Sequence, residues 1–396
     1  MKLNFRLPFR RAGHVRAEAR EVKAAVGGGF VALHAEGRAR WTARSYAGLS
    51  REGFMRNPVA HRSIRLVAEA AATIPLLLYE GTRELDEHPI LAVLKRPNAR
   101  MSGPDFMEAL IGYVLLSGNA YVEPAMVGDA LRELHLLRPD RVSVVEGPDG
   151  WPAGYDYSVG GRRRRLPAEA ETGVPGLLHL RLFNPLDDHL GFSPLEAALT
   201  ALDLSNAASA WNKALLDNSA RPSGALVYQP KEGGNLSEDQ YARLKQELEE
   251  GYSGARRAGR PMLLEGGLDW KSMGLTPREM DFVQAKNGAA RDIALALGVP
   301  PMLLGIPGDN TYANYAEANR AFYRLTVLPL LNRIVVSLGN WLAPIYGDEL
   351  RLTYDTDAII GLSAERESLW QRVGDADFLT ESEKREAVGY QPLAEQ

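Results

Sequence analysis

The stretch TPREMDFVQAKNGAARDIALALGVPP, residues 276–301, sets the architecture, because both of its ends carry helix-boundary signals. Thr276 and Glu279 have the spacing of a capping box, in which the hydroxyl accepts from the amide three residues on and the carboxylate reaches back to the cap amide. Pro277 suits the first helical position, where an N–H would have no intrahelical partner. At the other end Gly298 follows Leu297, with Pro300 and Pro301 just beyond, which is a glycine stop. The spacing predicts a helix over 277–297.

Upstream the same device occurs as Ser193-Pro194-Leu195-Glu196. Leu195, Leu199, Leu202, Trp211 and Leu215 carry that helix to about Asn218, roughly 25 residues or about 37 Å at 1.5 Å per residue. Its many alanines, Ala197, Ala201, Ala208 and Ala210 among them, would let other helices approach closely. The two capped helices bracket a smaller unit at 221–275. That unit holds a strand GALVY, an acidic helix SEDQYARLKQELEE capped by Ser237, a glycine-rich segment with Arg256, Arg257 and Arg260, and the strands MLLE and LDWKSM.

Downstream, GVPPMLLGIPGDNTYANY is rich in proline and glycine and contains no His or Cys. The chain then reads as helical from about Tyr312 to Leu342, with a kink where Pro329 removes an amide donor. The apolar window 325–346 is interrupted by Asn332 and Arg333. A charge at the centre of a bilayer span costs about 2.5–3.5 kcal/mol, so the window reads as a buried helix. The last fifty or so residues read as a strand LRLTYD, a polar helix around AERESLWQRVG and a short segment FLTESEKREAVGYQP.

Nearer the N-terminus, Asn57-Pro58 opens a helix whose Ile64, Val67, Ala68 and Ala71 share one face. A short strand LLLY follows, then a second helix opened by Ser102 and Asp105 and closed at Gly118-Asn119. From 120 to 183 the period changes to two: AYVE, ELHLL, RVSVV, YDYSV and LLHLRLF alternate between turn residues, predicting a β-rich subdomain of meander type. Arg162 to Arg165 follow the Gly160-Gly161 turn, as a phosphate contact or as a charged hairpin edge.

A net charge of −4 argues against a protein that grips nucleic acid by massed phosphate neutralisation, though not against DNA as passing cargo. With no cysteine there is no thiolate nucleophile or Cys-ligated zinc. The Arg-rich N-terminus lacks the apolar core of a secretory signal. Gly27-Gly28-Gly29 has no strand before it and so makes a poor dinucleotide loop. Asp187-Asp188-His189 and the pair Asp355 and Asp357 are candidate hard-cation ligands, with turn caps as the plainer alternative.

In their order and spacing, HPILAVLKRPNARMSGPDFMEALIGYVLLSGNAYVE, GFSPLEAA, NSARPSGALVY, residues 268–305 and YRLTVLPLLNRI resemble the HK97-like portal protein family of tailed bacteriophages. The short C-terminal region is similar to the portals of alphaproteobacterial gene transfer agents. The resemblance implies an α+β portal fold of wing, stem, clip and crown, with long stem and wing helices and a β-rich wing subdomain. On that scheme residues 1–50 are a basic N-terminal arm, 51–192 the wing and 193–220 the first stem helix. Residues 221–275 are the clip, 276–297 the second stem helix, 298–316 the tunnel loop, 317–346 a long kinked wing helix and 347–396 a short crown.

The family function carried by this resemblance is a dodecameric homo-oligomeric ring at one capsid vertex of a virion or phage-like particle, assembled in the bacterial cytoplasm. Double-stranded DNA would be its translocated cargo. The terminase large subunit, a head-tail adaptor and the major capsid protein would be its partners, with no cofactor, metal, membrane or catalysis. The tunnel loop would present Gly305, Gly308, Asp309, Asn310, Thr311, Tyr312, Asn314 and Tyr315. The stem would present Lys213, Asn218, Lys286 and Arg291, and the clip Arg256, Arg257 and Arg260 to its partners. The loop departs from the Ser/Thr/Gly-rich run expected of the family. Duplex DNA carries a charge about every 1.7 Å, and each phosphate held by Lys or Arg must be released as DNA advances, so a conduit is served by neutral groups such as Asn310, Tyr312 and Asn314. Gly298, Gly305 and Gly308 would let that loop shift. A metal-dependent nucleic-acid enzyme using Asp355 and Asp357, or a scaffold with no DNA path, remains open at this point.

Overall fold

The computed structural model describes residues 41–390 apart from 129, 169–175, 218–223, 229–236, 241, 244–245, 247–267, 273–281, 308–311 and 348. The chain divides into two compact units, one built from 37–214 and 276–396 and a smaller one that includes 215–275.

Helix α1, Pro58–Ala72, begins as its sequence dictates: Asn57 Oδ1 accepts from the amides of Val59 and Ala60, both at 3.0 Å. Asn57 is itself buried, and its Nδ2 donates to Ser205 Oγ and Asn206 Oδ1 at 3.1 Å, which ties this helix start to a distant segment. Strand β1, Leu76–Glu80, and the short β2, Arg83–Glu84, follow, then helix α2, Pro89–Lys95. Helix α3, Gly103–Ser117, has the expected capping box between Ser102 and Asp105 and stops at Gly118 with φ 74°. The Ile64 and Val67 face of α1 packs against the Phe106, Leu110 and Ile111 face of α3. Each such side chain stabilises the fold by about 1.5–3 kcal/mol relative to exposure.

The period-two region forms two three-stranded sheets. Strands β3 (Asn119–Val127), β4 (Ala130–Leu137) and β8 (Leu178–Arg181) pair in the order β4-β3-β8, while β5 (Val142–Glu146), β6 (Pro152–Val159) and β7 (Arg162–Pro167) pair consecutively. Only the second sheet is the expected meander; β8 returns across the chain to β3. A small second core of Tyr121, Leu137, Tyr155, Leu166 and Leu177 joins residues of both sheets. The arginine run is the edge strand β7. Arg164 pairs with Glu123 of β3, in the other sheet, at 2.7 Å and Arg165 with its cross-strand neighbour Asp156 at 2.9 Å, so these two guanidinium groups are committed to carboxylates.

Two expectations about the next helix are corrected. Ser193 makes no side-chain cap; its buried hydroxyl donates to the carbonyl of Leu115 at 2.9 Å, satisfying an orphan carbonyl in the last turn of α3. The rod breaks at Ala198, so a single turn, Pro194–Ala197, precedes helix α4, Leu199–Asp217.

The described part of the smaller unit is an antiparallel pair, β9 (Gly224–Tyr228) with β10 (Leu268–Ser272), and a helical start at Ser237. There Ser237 Oγ accepts from the Gln240 amide at 3.3 Å and Gln240 Oε1 from the Ser237 amide at 3.0 Å, a complete capping box. The Thr276 cap lies outside the described residues.

Helix α5, Phe282–Ala296, is followed by a 3₁₀ turn, Pro301–Leu304, and helix α6, Tyr312–Phe322. A π-helical segment, Tyr323–Val327, joins α6 to helix α7, Leu328–Tyr346. The expected proline kink thus takes the form of a π-bulge. The Leu328 amide bonds to Tyr323 O, which accommodates the missing donor at Pro329. On α7 Leu331, Ile334, Val335, Leu338 and Leu342 are buried in the main core, and Asn332 and Arg333 are exposed. Strand β11, Leu350–Tyr354, pairs antiparallel with β1 along its full length. The boundary expected at 347 therefore separates two strands of one sheet. Helices α8, Ser363–Gly374, and α9, Glu381–Ala387, complete the described chain; Thr380 and Glu383 form a further capping box.

Candidate functional site

The segment between α5 and α7 is the candidate site, and its first half is built rather than loose. Gly298 has φ 67°, and a Cβ there would meet Thr326 Oγ1 at 2.6 Å. The Thr326 hydroxyl donates to the Gly298 carbonyl at 2.6 Å, which pins the end of α5 to the π-segment. The Val299 amide closes back on Ala294 O at 2.8 Å. Ile306 is buried against Ala290 and Ala294 of α5, and the Arg291 guanidinium donates to the Pro307 carbonyl. In this structure Gly298 is held from both sides: its positive φ serves a helix stop under a side chain. Gly305, at φ 70° with open space around it, keeps the expected latitude.

The chain is already helical at Tyr312, so Tyr312, Asn314 and Tyr315, assigned to a tunnel loop ending at 316, stand on the first turn of α6. Asn314 and Tyr315 are exposed there. Gly308, Asp309, Asn310 and Thr311 lie outside the described residues. Lys213 on α4 and Lys286 and Arg291 on α5 are exposed; Asn218, Arg256, Arg257 and Arg260 lie outside the described residues.

Two cations of α6 and its π-segment are neutralised within the chain. Arg320 pairs with Glu317 at 3.0 Å and with Glu365 at 3.7 Å, and Arg324 pairs with the same Glu365 at 3.3 Å. Glu365 opens α8, so a C-terminal helix supplies the counter-charge for α6 and its π-segment. What faces outward from the first turns of α6 is an amide, a phenol and a carboxylate.

A second cluster, overlooked in the sequence, fixes the approach to α4. Asn119 Oδ1 accepts from the Gly191 amide at 2.7 Å while its Nδ2 donates to the Gly191 carbonyl at 3.2 Å. His179 Nε2 lies 2.9 Å from the same Oδ1, and its ring stacks on Tyr121 with centroids 4.3 Å apart. Burial, with the Arg181 charge beside it, pushes His179 down to about 3, so the imidazole is neutral at ordinary pH. Burial likewise pushes the Tyr121 phenol up. The backbones of Gly118 and Gly191 cross in contact: a Cβ on Gly191 would lie 2.1 Å from Gly118 O. In the sequence Gly118-Asn119 reads only as a helix end.

The cation candidates resolve as turn caps. Asp187 Oδ1 accepts from the amides of His189 and Leu190, both at 2.8 Å, and these bonds hold its carboxyl below the usual range. Asp355 Oδ1 accepts from the Asp357 amide at 2.7 Å, and Asp357 faces Arg366 at 3.4 Å. Among the described residues no group of three His, Asp or Glu side chains is placed to hold a metal.

Residues 58–389 match the family model described as phage portal protein. A structure described as the neck of an empty GTA particle computed with C6 symmetry holds a chain 55% identical to this one, covering 90% of this chain and 96% of that one, with a TM-score of 0.71. The neck of a native GTA particle computed with C12 symmetry gives 53% identity, coverage of 90% and 97%, and a TM-score of 0.68. The portal protein of Enterobacteria phage HK97 is 25% identical over 346 residues, 84% of this chain and 78% of its own length.

Proposed function

Because the chain belongs to the phage portal protein family, we propose that it works as a portal, a homo-oligomeric ring at one capsid vertex of a gene-transfer-agent-like particle. The observation carrying this is the likeness, at more than half identity over 90% of the chain, to chains in the necks of such particles, one of them computed with C12 symmetry. Double-stranded DNA is the proposed cargo. The terminase large subunit, a head-tail adaptor and the major capsid protein are the proposed neighbours.

The proposed DNA-facing surface is the tunnel segment from Gly305 to Tyr315; Lys213, Asn218, Lys286 and Arg291 are the proposed stem positions. The proposed docking cations of the clip are Arg256, Arg257 and Arg260. The charge pattern supports a weakly gripping lining: Arg320 and Arg324 are paired with Glu317 and Glu365, leaving neutral polar groups at the start of α6. Each phosphate held by Lys or Arg would add binding that has to be broken as the DNA advances. The chain's role is structural: Asp355 and Asp357 serve as a turn acceptor and an arginine partner, which favours the portal over metal-dependent turnover.

The test is a deletion of the gene in the producing cell. Particles are expected to contain no nuclease-protected DNA, with packaging restored by the wild-type chain. Full DNA content in the deletion strain would overturn the proposal.

A further inference from the structure

Between β8 and Ser193 four large apolar side chains, Phe183, Leu186, Leu190 and Phe192, are exposed within ten residues, Phe183 at 79% and Leu186 at 94%. Exposed apolar groups on a slack loop would be unremarkable, but this loop is fixed by its own polar groups. Asn184 Nδ2 donates to Leu190 O and its Oδ1 accepts from the Leu186 amide, each at 3.0 Å. Asp187 holds the amides of His189 and Leu190, and the Arg181 guanidinium donates to Asp188 O. At the foot, Asn119 grips both backbone groups of Gly191, and the Gly118–Gly191 crossing leaves no room for adjustment. The hydrogen bonds that shape the loop therefore hold Phe183 and Leu186 out in solvent. Docking such a surface orders little that is not already ordered, which is the condition under which apolar anchors dominate an interface.

Resting on the portal assignment, we propose that Phe183 and Leu186 form a fixed knob that seats on the adjacent copy of this chain in the ring. A closed cyclic ring joins unlike patches, so every copy must carry both a projecting surface and a receiving one. The knob is apolar and acidic, with Asp187 and Asp188 at its tip, and a DNA backbone would be repelled by it. The chain also carries residues of complementary character in the segment 41–55. In that segment Trp41 and Met55 are exposed at 68% and 80%, and Arg44 and Arg51 are exposed and make no ion pair among the described residues. The loop also leads directly into the turn before α4, within the residues 58–389 that match the portal family model.

The experiment compares ring assembly of the purified full chain with that of F183S/L186S by mass photometry across a concentration series. Circular dichroism and thermal melting serve as folding controls. The double variant is expected to keep the wild-type melt and to need about tenfold more protein, or more, to assemble. A photo-crosslinker at position 186 in the otherwise wild-type chain is expected to join two copies. Assembly of F183S/L186S at wild-type concentration, or a crosslink confined to one chain, would overturn the knob while leaving the ring intact. A wild-type chain that stays monomeric would overturn the portal assignment and the knob with it.

Discussion

Gly191 is a residue whose importance only the fold reveals. Its neighbours in sequence suggest a turn, yet its missing Cβ is what lets two backbones cross at Gly118. Gly191→Ala is expected to destabilise the protein by about 1–3 kcal/mol, in the range of overpacked cores, because a backbone carbonyl cannot rotate away. Gly112→Ala in α3, where a Cβ meets nothing within 4 Å, is the control and should raise the thermal midpoint slightly, by the ordinary glycine-to-alanine gain of about 0.5–1 kcal/mol in a helix. His179 gives a pH prediction of definite sign. Its folded value, about 3, lies below the ordinary histidine value of 6.5, so the unfolded chain binds the extra proton between those limits. Stability from this site is complete above pH 6.5 and is lost as pH falls towards 3. His179→Gln should flatten that acid limb in a melting series, whereas an unchanged pH slope would mean that the imidazole is not held neutral.

At the scale of elements, local signals were legible where they were satisfied locally. The Asn57 cap, the Ser102–Asp105 box and the Ser237 cap all form as the sequence predicts, because each side chain meets amides within three residues of itself. Ser193 has the same local pattern but spends its hydroxyl on Leu115 O, a partner 78 residues away, and no spacing rule can reveal that. The β1–β11 pairing was likewise invisible, since an antiparallel register between Leu76 and Tyr354 leaves no periodicity that names its partner. Thr380 and Glu383 likewise have the spacing of a capping box, and the box forms. Asn57→Ala removes two caps and two buried side-chain bonds at once. A loss of about 2 kcal/mol or more is expected in chemical denaturation, against a fraction of that for Thr380→Ala on the exposed α9 start.

For the whole molecule, the setting-apart of a smaller unit that includes 215–275 was approachable from sequence, because helix-boundary signals bracket that stretch, while the electrostatic logic was not. Glu365 lies 41 residues from Arg324, and only the fold shows that one carboxylate masks two guanidinium groups. Glu365→Ala should therefore unmask Arg324, and together with Glu317→Ala it should unmask Arg320 as well. In a DNA-binding titration of assembled protein, the slope of log affinity against log salt should steepen by about 0.9 for each phosphate newly held. An unchanged slope would place those arginines away from the cargo.

Cryo-electron microscopy of the purified, assembled chain bears most directly on whether many copies enclose a DNA path. The expected map is a closed ring around a central hole, with the Asn314 and Tyr315 turn of α6 facing the lumen. Solitary chains, or rings in which that turn faces away from the hole, would contradict the conduit.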